Sequence, residues 1–368
     1  MNRNQRKTVV GLFGGISAIL FVIILFILAP SNRQKPKEDK EKESVLIFTA
    51  TKFFGLDMPA VKNAFVRVCS QDIQDYCHLT SDPEHFDKAD AVLYHQPEYD
   101  PEVHQFPRNR DQIQVMLSLE SPHYYNIKFK PGFMNWTMTY RLDSDVPFPY
   151  AVMKQKKKNI VTDFDAIWTQ KNHSLTAAWM VANCDAPNRR KELVEAAQLA
   201  GLNVDILGMC GKRLEGCDRE AEDRYDCAAR TLRHYKFYFA LENTNCQDYV
   251  TEKFFNSLRI YNSVPIVIRR EYYTNIGIPN DAFIALDDFD SMTDFVNFLD
   301  RVKVNSTEYL KYHAWRDHYD VAEYDRTTGF CLLCEKLKQP SRQSRNYHDL
   351  HNWFSKDMCD NNYADRFL

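Results

Sequence analysis

Apolar and polar positions divide the chain into three regimes. Val9 to Ala29 is apolar, broken only by Gly and Ser, and is long enough to cross a bilayer as a helix. Ser31 to Glu43 is charge-dense and shows no apolar period, the pattern of a solvated tether. From Val45 onward, short apolar runs alternate with stretches of helical period. Val45–Phe48, Ala91–Tyr94 and Ile113–Leu119 read as buried strands. After the basic segment Lys154–Lys158 a second series begins, with strands predicted at Thr176–Val181, Asn203–Gly208, Phe237–Leu241 and Val264–Ile268. Helices are predicted at Arg189–Leu199, closed by Gly201, at Tyr225–Tyr235 and at Tyr249–Tyr261. Alternation at these lengths implies parallel strands with crossover helices. The expected organisation is a tail (1–8), a membrane signal-anchor (9–29), a stem (30–44) and two α/β lobes, each Rossmann-like (45–153 and 154–368). The second lobe includes a C-terminal return segment.

Charge changes this picture modestly. Residues 1–44 carry eight Lys/Arg against four Asp/Glu, leaving 39 against 46 beyond them. A mildly acidic body argues against nucleic acid as the main partner. Arg3, Arg6 and Lys7 precede the apolar run without acidic compensation, whereas the basic residues after it are interleaved with acids. Lys/Arg counting alone leaves the orientation close. All ten cysteines lie beyond the run, as do the sequons at Asn135, Asn172 and Asn305. Disulfides and N-glycans belong to the secretory lumen, so the reading is a single-pass type II protein with its body in the lumen.

In open parallel sheets, ligands bind beyond the carboxyl ends of the strands. That rule singles out Glu120-Ser121-Pro122, Asn183–Asp185 and Leu241–Asn245. The last leads into Asp248, read as a helix N-cap, and Lys253 in the first turns of that helix. Free amides, a helix dipole and a lysine suit a diphosphate. Spacing alone, however, fits a solvated surface helix better than a binding site.

The segment Phe237-Tyr-Phe-Ala-Leu-Glu-Asn-Thr-Asn-Cys-Gln-Asp-Tyr-Val-Thr-Glu-Lys, with Val264-Pro-Ile-Val after it, resembles the donor-binding motif of the α-1,3-fucosyltransferases, glycosyltransferase family 10. Thr244 stands where that motif usually has Ser. Phe133-Met-Asn-Trp-Thr-Met-Thr-Tyr-Arg-Leu-Asp-Ser-Asp resembles a second block of the family, and Leu119-Glu-Ser-Pro a third. The resemblance runs in order from about Val45 to Cys334.

It implies a GT-B fold in the Golgi, GDP-fucose in the C-terminal lobe, and transfer with inversion to the 3-hydroxyl of a GlcNAc in a glycan acceptor. It implies Glu120 as general base, Arg190 and Lys253 as the cations for the departing diphosphate, and Asn243, Tyr249 and Glu252 as further donor contacts. Glu242 is read as orienting its neighbours. Asp143-Ser144-Asp145 has the look of a metal-binding D-x-D, but within its block it reads as acceptor-lobe structure. No obligatory metal is expected, with room for stimulation by Mn or Mg. The family pattern also implies that Cys331 and Cys334 pair with Cys69 and Cys77. Cys184 and Cys246, both at donor-lobe strand ends, are read as a further pair. Two other readings stay open: a GT-B transferase using another nucleotide sugar, and a non-catalytic glycan-binding relative. The acceptor-discriminating loops are expected within Lys52–Pro107.

Overall fold

A computed structural model describes residues 44–57, 69–107, 109–158, 161–214, 217, 224–323, 328–339 and 345–368. The expected tail, the anchor at 9–29 and the stem up to residue 43 lie outside the described residues. Among the described residues no helix is long and apolar enough to cross a membrane.

β1 (Val45–Thr49), β2 (Cys77–Thr80), β3 (Ala91–His95), β4 (Ile113–Ser118), β5 (Trp136–Thr139) and β6 (Val146–Pro147) form a sheet in the order β2-β1-β3-β4-β5-β6. Every neighbouring pair is parallel. Every residue of β3 and β4 is buried, because a parallel sheet is covered on both faces. β7 (Ala151–Gln155) then leaves this lobe. β8 (Ala177–Val181), β9 (Val204–Gly208), β10 (Phe237–Phe239), β11 (Val264–Val267) and β12 (Ile284–Ala285) build a second parallel sheet, ordered β12-β11-β10-β8-β9. β13 (Tyr319–Glu323) pairs antiparallel with β7. The two parallel α/β sheets expected from the alternation are therefore present. β2, β5 and β6 are additional, too short or too polar at their edges to announce themselves.

The helices sit close to their predicted places, with one informative exception. Arg190–Leu199 ends in Gly201 at φ +104°, with Gly201 N bonded to Gln198 O and Leu202 N to Ala197 O. The helix predicted over Tyr249–Tyr261 starts later, at Glu252, and ends at Arg259, with Thr251 rather than Asp248 as its N-cap. Asp248 has a left-handed backbone (φ +61°), and its carboxylate accepts Leu142 N from the other lobe at 3.2 Å. A tertiary contact thus takes the residue that would have capped the helix.

The chain end ties the lobes together. Phe330, Leu333 and Leu337 of the helix Thr328–Lys338 join the core under the first sheet. Leu350 and Phe354 join the core on its other face, together with Tyr249 and Cys246 of the second lobe. Ala364 and Phe367 then enter the core of the second lobe.

Cys69 pairs with Cys331 and Cys77 with Cys334, so the two ends of the body are joined as the family pattern implied. The expected Cys184–Cys246 pair is not formed. Cys184 bonds Cys210, from the turn after β9, and Cys246 bonds Cys359 of the chain end; Cys217 pairs with Cys227. The correction follows from strand order, because β8 has β9 on one side and β10 on the other, and Cys184 is taken by the β9 side.

Among the sequons, Asn172 and Asn305 are exposed. Asn135 is only 3% exposed; its Oδ1 accepts Gln114 N at 2.8 Å and its Nδ2 donates to Arg345 O and Asn346 Oδ1. Its amide is part of the folded interior, and a glycan there would require that network to open.

Candidate active site

The carboxyl ends of β4, β8 and β10 converge where the sequence placed its candidates. β4 ends at Ser118, and the two residues after it carry Glu120 to the mouth of the first sheet. That turn is fixed by Tyr150, whose hydroxyl donates to Leu119 O at 2.8 Å. Glu120 is partly buried, and Tyr249 directs its hydroxyl at Glu120 Oε2, 3.4 Å away. Burial pushes the Glu120 carboxyl above its ordinary range, and the charge of Lys253 offsets part of that rise. Residues 120 and 253, from different lobes, thus share one electrostatic environment.

Lys253 lies in the first turn of the helix Glu252–Arg259. Its ammonium donates to Thr251 Oγ1 at 2.8 Å and pairs with Glu242 Oε2 at 3.0 Å and Glu252 Oε1 at 3.2 Å. Burial works against that charge, but Glu242 and Glu252 outweigh it and hold the lysine protonated, well above its ordinary pKa. Glu242 is the organising residue: its two oxygens also accept Thr251 N and Thr251 Oγ1, both at 2.7 Å. Burial raises the Glu242 carboxyl and Lys253 pulls it back. Glu242 thus contacts both Thr251 and Lys253.

Arg190 is 3% exposed and spans the ends of two adjacent strands. Nη1 donates to Leu241 O at 2.7 Å and Nη2 to Asn183 O at 3.0 Å, while buried Nε has no hydrogen-bond partner among the described residues. The neighbouring Arg189 is instead a surface residue, paired with Asp365 at 2.5 Å. The geometry therefore selects Arg190 as the inward cation of the two.

Asn243 follows Glu242, and its carbonyl oxygen is 3.5 Å from the hydroxyl of Tyr124, which in turn accepts Asn183 Nδ2 at 3.0 Å. Tyr124 thus reaches from the first lobe to two strand ends of the second. Asn188 holds the Glu242–Asn245 loop from behind, donating to Glu242 O and Asn245 Oδ1, each at 2.9 Å. Neither Tyr124 nor Asn188 had a signal in the sequence beyond lying near a marked motif. Glu252 is held by its ion pair to Lys253 at the edge of the cleft. Tyr249 is buried, with its ring 4.9 Å from that of Tyr140, so its hydroxyl faces Glu120 from within the packing. A small open hollow beside the motif loop is lined by Glu242, Asn245, Tyr249, Arg269 and Tyr272 among others.

The Asp143–Asp145 stretch is taken up by local structure. Asp145 Oδ2 accepts Thr137 N, Thr137 Oγ1 and the Tyr347 hydroxyl, Asp143 pairs with Arg141 at 2.6 Å, and Ser144 bonds Thr139 at 2.7 Å. It stands as part of the first lobe's framework.

Residues 168–353 match the family described as "Glycosyltransferase family 10 (fucosyltransferase) C-term", and residues 40–151 match "Fucosyltransferase, N-terminal". The chain belongs to glycosyltransferase family 10. Among its relatives, alpha-(1,3)-fucosyltransferase fut-6 of Caenorhabditis elegans is 37% identical over 89% of this chain and 84% of that protein. Human alpha-(1,3)-fucosyltransferase 7 is 32% identical over 76% and 78%. In three dimensions the chain is similar to an α1,3-fucosyltransferase crystallised with GDP-fucose, at a TM-score of 0.50 and 16% identity, covering 86% of this chain and 95% of that one. The same comparison with a GDP-bound crystal structure gives 0.51 at 14% identity, over 84% and 93%. These likenesses show that the chain shares its fold with those crystallised α1,3-fucosyltransferases. The family-10 assignment covers both lobes, so each of the three resembling blocks falls inside a matched region.

Proposed function

We propose that this family-10 chain transfers L-fucose from GDP-β-L-fucose to the 3-hydroxyl of a GlcNAc in N-glycans or related glycoconjugates, with inversion to an α-1,3 linkage. The observation that carries the reading is the shared field of Glu120 and Lys253 across the cleft, with Arg190 at the strand ends beside them.

In this reading Glu120, ionised, accepts the proton of the acceptor 3-hydroxyl as that oxygen attacks C1 of fucose. The bond from C1 to the β-phosphate oxygen breaks, and GDP leaves with the electron pair. Lys253 and Arg190 supply the positive charge that the departing diphosphate needs. Lys253 is held ready by Glu242 and Glu252, and Arg190 adds its charge from the buried strand ends. The positive end of the dipole of the helix Glu252–Arg259 adds to the same field. Asn243 and Glu252 lie at the cleft edge and are assigned to sugar hydroxyls of the donor. Positive charge supplied by side chains removes the need for a bridging metal, so turnover is expected to survive EDTA, with Mn or Mg at most stimulatory.

The five disulfides fit the secretory pathway. With the apolar run at 9–29, they support a type II Golgi membrane protein whose catalytic body faces the lumen.

The test is transfer by the full chain, solubilised in mild detergent, from a panel of nucleotide sugars to defined GlcNAc-containing glycans, with linkage analysis of the products. Fucose from GDP-fucose on the GlcNAc 3-position is expected. Transfer from another nucleotide sugar, or none from any, would replace this reading with one of the two left open above.

A further inference from the structure

After β1 the chain reverses in a two-residue turn. Phe53 N bonds Leu56 O at 2.9 Å and Leu56 N bonds Phe53 O at 3.1 Å. The two central residues, Phe54 and Gly55, have φ of +50° and +79°. Positive φ at both positions is the type I′ geometry, which favours Asn-Gly and penalises a bulky aromatic. The Phe54 ring returns little to the fold for that strain, being 45% exposed.

The ring is nevertheless held in place. It lies 4.8 Å from the ring of Phe53 and 4.6 Å from that of His95. Glu98 clamps the turn, accepting Gly55 N at 2.6 Å through one oxygen and His95 Nδ1 at 2.9 Å through the other. His95 N in turn bonds Thr51 Oγ1 at 2.7 Å. Buried His95 is kept neutral by desolvation, so the face beneath Phe54 is aromatic rather than cationic.

This platform lies on the strand next to the one that carries Glu120. His95 ends β3 and is paired in register with Leu117 of β4, three residues before Glu120. Gln96 accepts Ser118 Oγ at 3.3 Å and donates to Tyr125 O at 3.2 Å and Asn126 O at 3.1 Å. Tyr125 is 36% exposed, and its phenol feels the carboxylates of both Glu120 and Glu98. An exposed strained aromatic, an exposed tyrosine and the base therefore follow one another along the mouth of the first sheet.

We propose that Phe54 and Tyr125 form an acceptor subsite that holds the sugar ring joined to the accepting GlcNAc. The apolar C–H face of a pyranose lies on Phe54, and the Tyr125 hydroxyl bonds one of its hydroxyls. The subsite rests on the reading of Glu120 as the base, and it makes Phe54 a specificity residue for extended acceptors.

Phe54→Asn provides the test, because Asn-Gly is the sequence the turn itself favours. In the full chain, F54N is expected to raise KM for an oligosaccharide acceptor roughly tenfold. kcat, KM for GDP-fucose and turnover of a simple GlcNAc glycoside should hold, and Tm should be equal or higher. Y125F should raise the same KM by a smaller factor. An unchanged oligosaccharide KM in folded F54N overturns the subsite, as does an equal loss on the simple glycoside. A lower Tm with unchanged KM would make Phe54 structural only. Should the wild-type chain transfer no fucose, the function proposed above fails instead. The subsite is then read from saturation-transfer NMR, where F54N must lose the oligosaccharide signal.

Discussion

At the scale of single residues, the proposed reaction rests on Glu120 as base and Lys253 as diphosphate cation, with Tyr249 joining Glu120 to the packing of the fold. Glu120 works as a base only when ionised, and burial already raises its pKa. The Tyr249 hydroxyl favours the carboxylate, so Tyr249→Phe should raise that pKa further and move the acidic limb of the kcat–pH profile to higher pH. Loss of one such bond is expected to lower kcat roughly tenfold at neutral pH, with GDP affinity little changed. A weakened GDP affinity with an unmoved limb would make Tyr249 a donor contact instead. Lys253→Met removes a diphosphate cation and also leaves Glu242 and Glu252 without their shared partner. Its kcat should fall by about 10²–10³, and its acidic limb should also move up, because Lys253 opposes the protonation of Glu120. Steady-state kinetics across pH would check both effects together.

At the scale of elements, the helix Thr328–Lys338 shows how tightly the chain end is fitted. A Cβ at Gly329 would stand 2.4 Å from the Phe148 ring, so this helix docks on the first lobe only with glycine there. Gly329→Ala should destabilise the body by about 1–3 kcal/mol through overpacking, less the gain of up to about 1 kcal/mol in helix propensity. Thermal inactivation of the purified variant measures the balance; an unchanged midpoint would show that Phe148 moves aside freely. The helix Glu252–Arg259 illustrates the opposite relation, an element whose start is set from outside. Asp248 is occupied by Leu142 N, so Thr251 caps the helix and Lys253 falls in its first turn, beside Glu242.

At the scale of the molecule, the last segment is a strap across both lobes. Arg141 donates to Trp353 O, Cys359 is bonded to Cys246 inside the donor motif, Asn361 Oδ1 accepts Asn245 N at 3.0 Å, and Phe367 is buried in the second lobe. Removing residues 345–368 should therefore abolish accumulation of folded enzyme rather than trim its activity. Secretory-pathway expression of the truncated chain, assayed for folded protein and fucose transfer, tests this. An active, secreted truncation would show that the disulfides from Cys69 and Cys77 to the helix Thr328–Lys338 suffice to unite the lobes.

The strands β1, β3, β4, β8 and β11 were legible because parallel sheets bury both faces and so write near-continuous apolar runs. The three candidate ends of strands were legible for the same reason, since a run that stops marks a mouth. The family motif named Glu120, Arg190 and Lys253, and the apolar run, sequons and cysteines pointed to the lumen without any fold. What the sequence could not state was which distant groups meet. Cys184 chose Cys210 because β9 is its neighbour, Cys246 chose the chain end, and Asn135 is buried among hydrogen bonds to both neighbouring and distant segments. Likewise Tyr124 and Asn188 reach the second lobe's strand ends, and Phe54 reaches His95, only through contacts with residues well removed in the chain. Local periodicity is fixed by a residue and its near neighbours, whereas partners far apart in the chain are chosen by strand order and packing, which only the folded chain possesses.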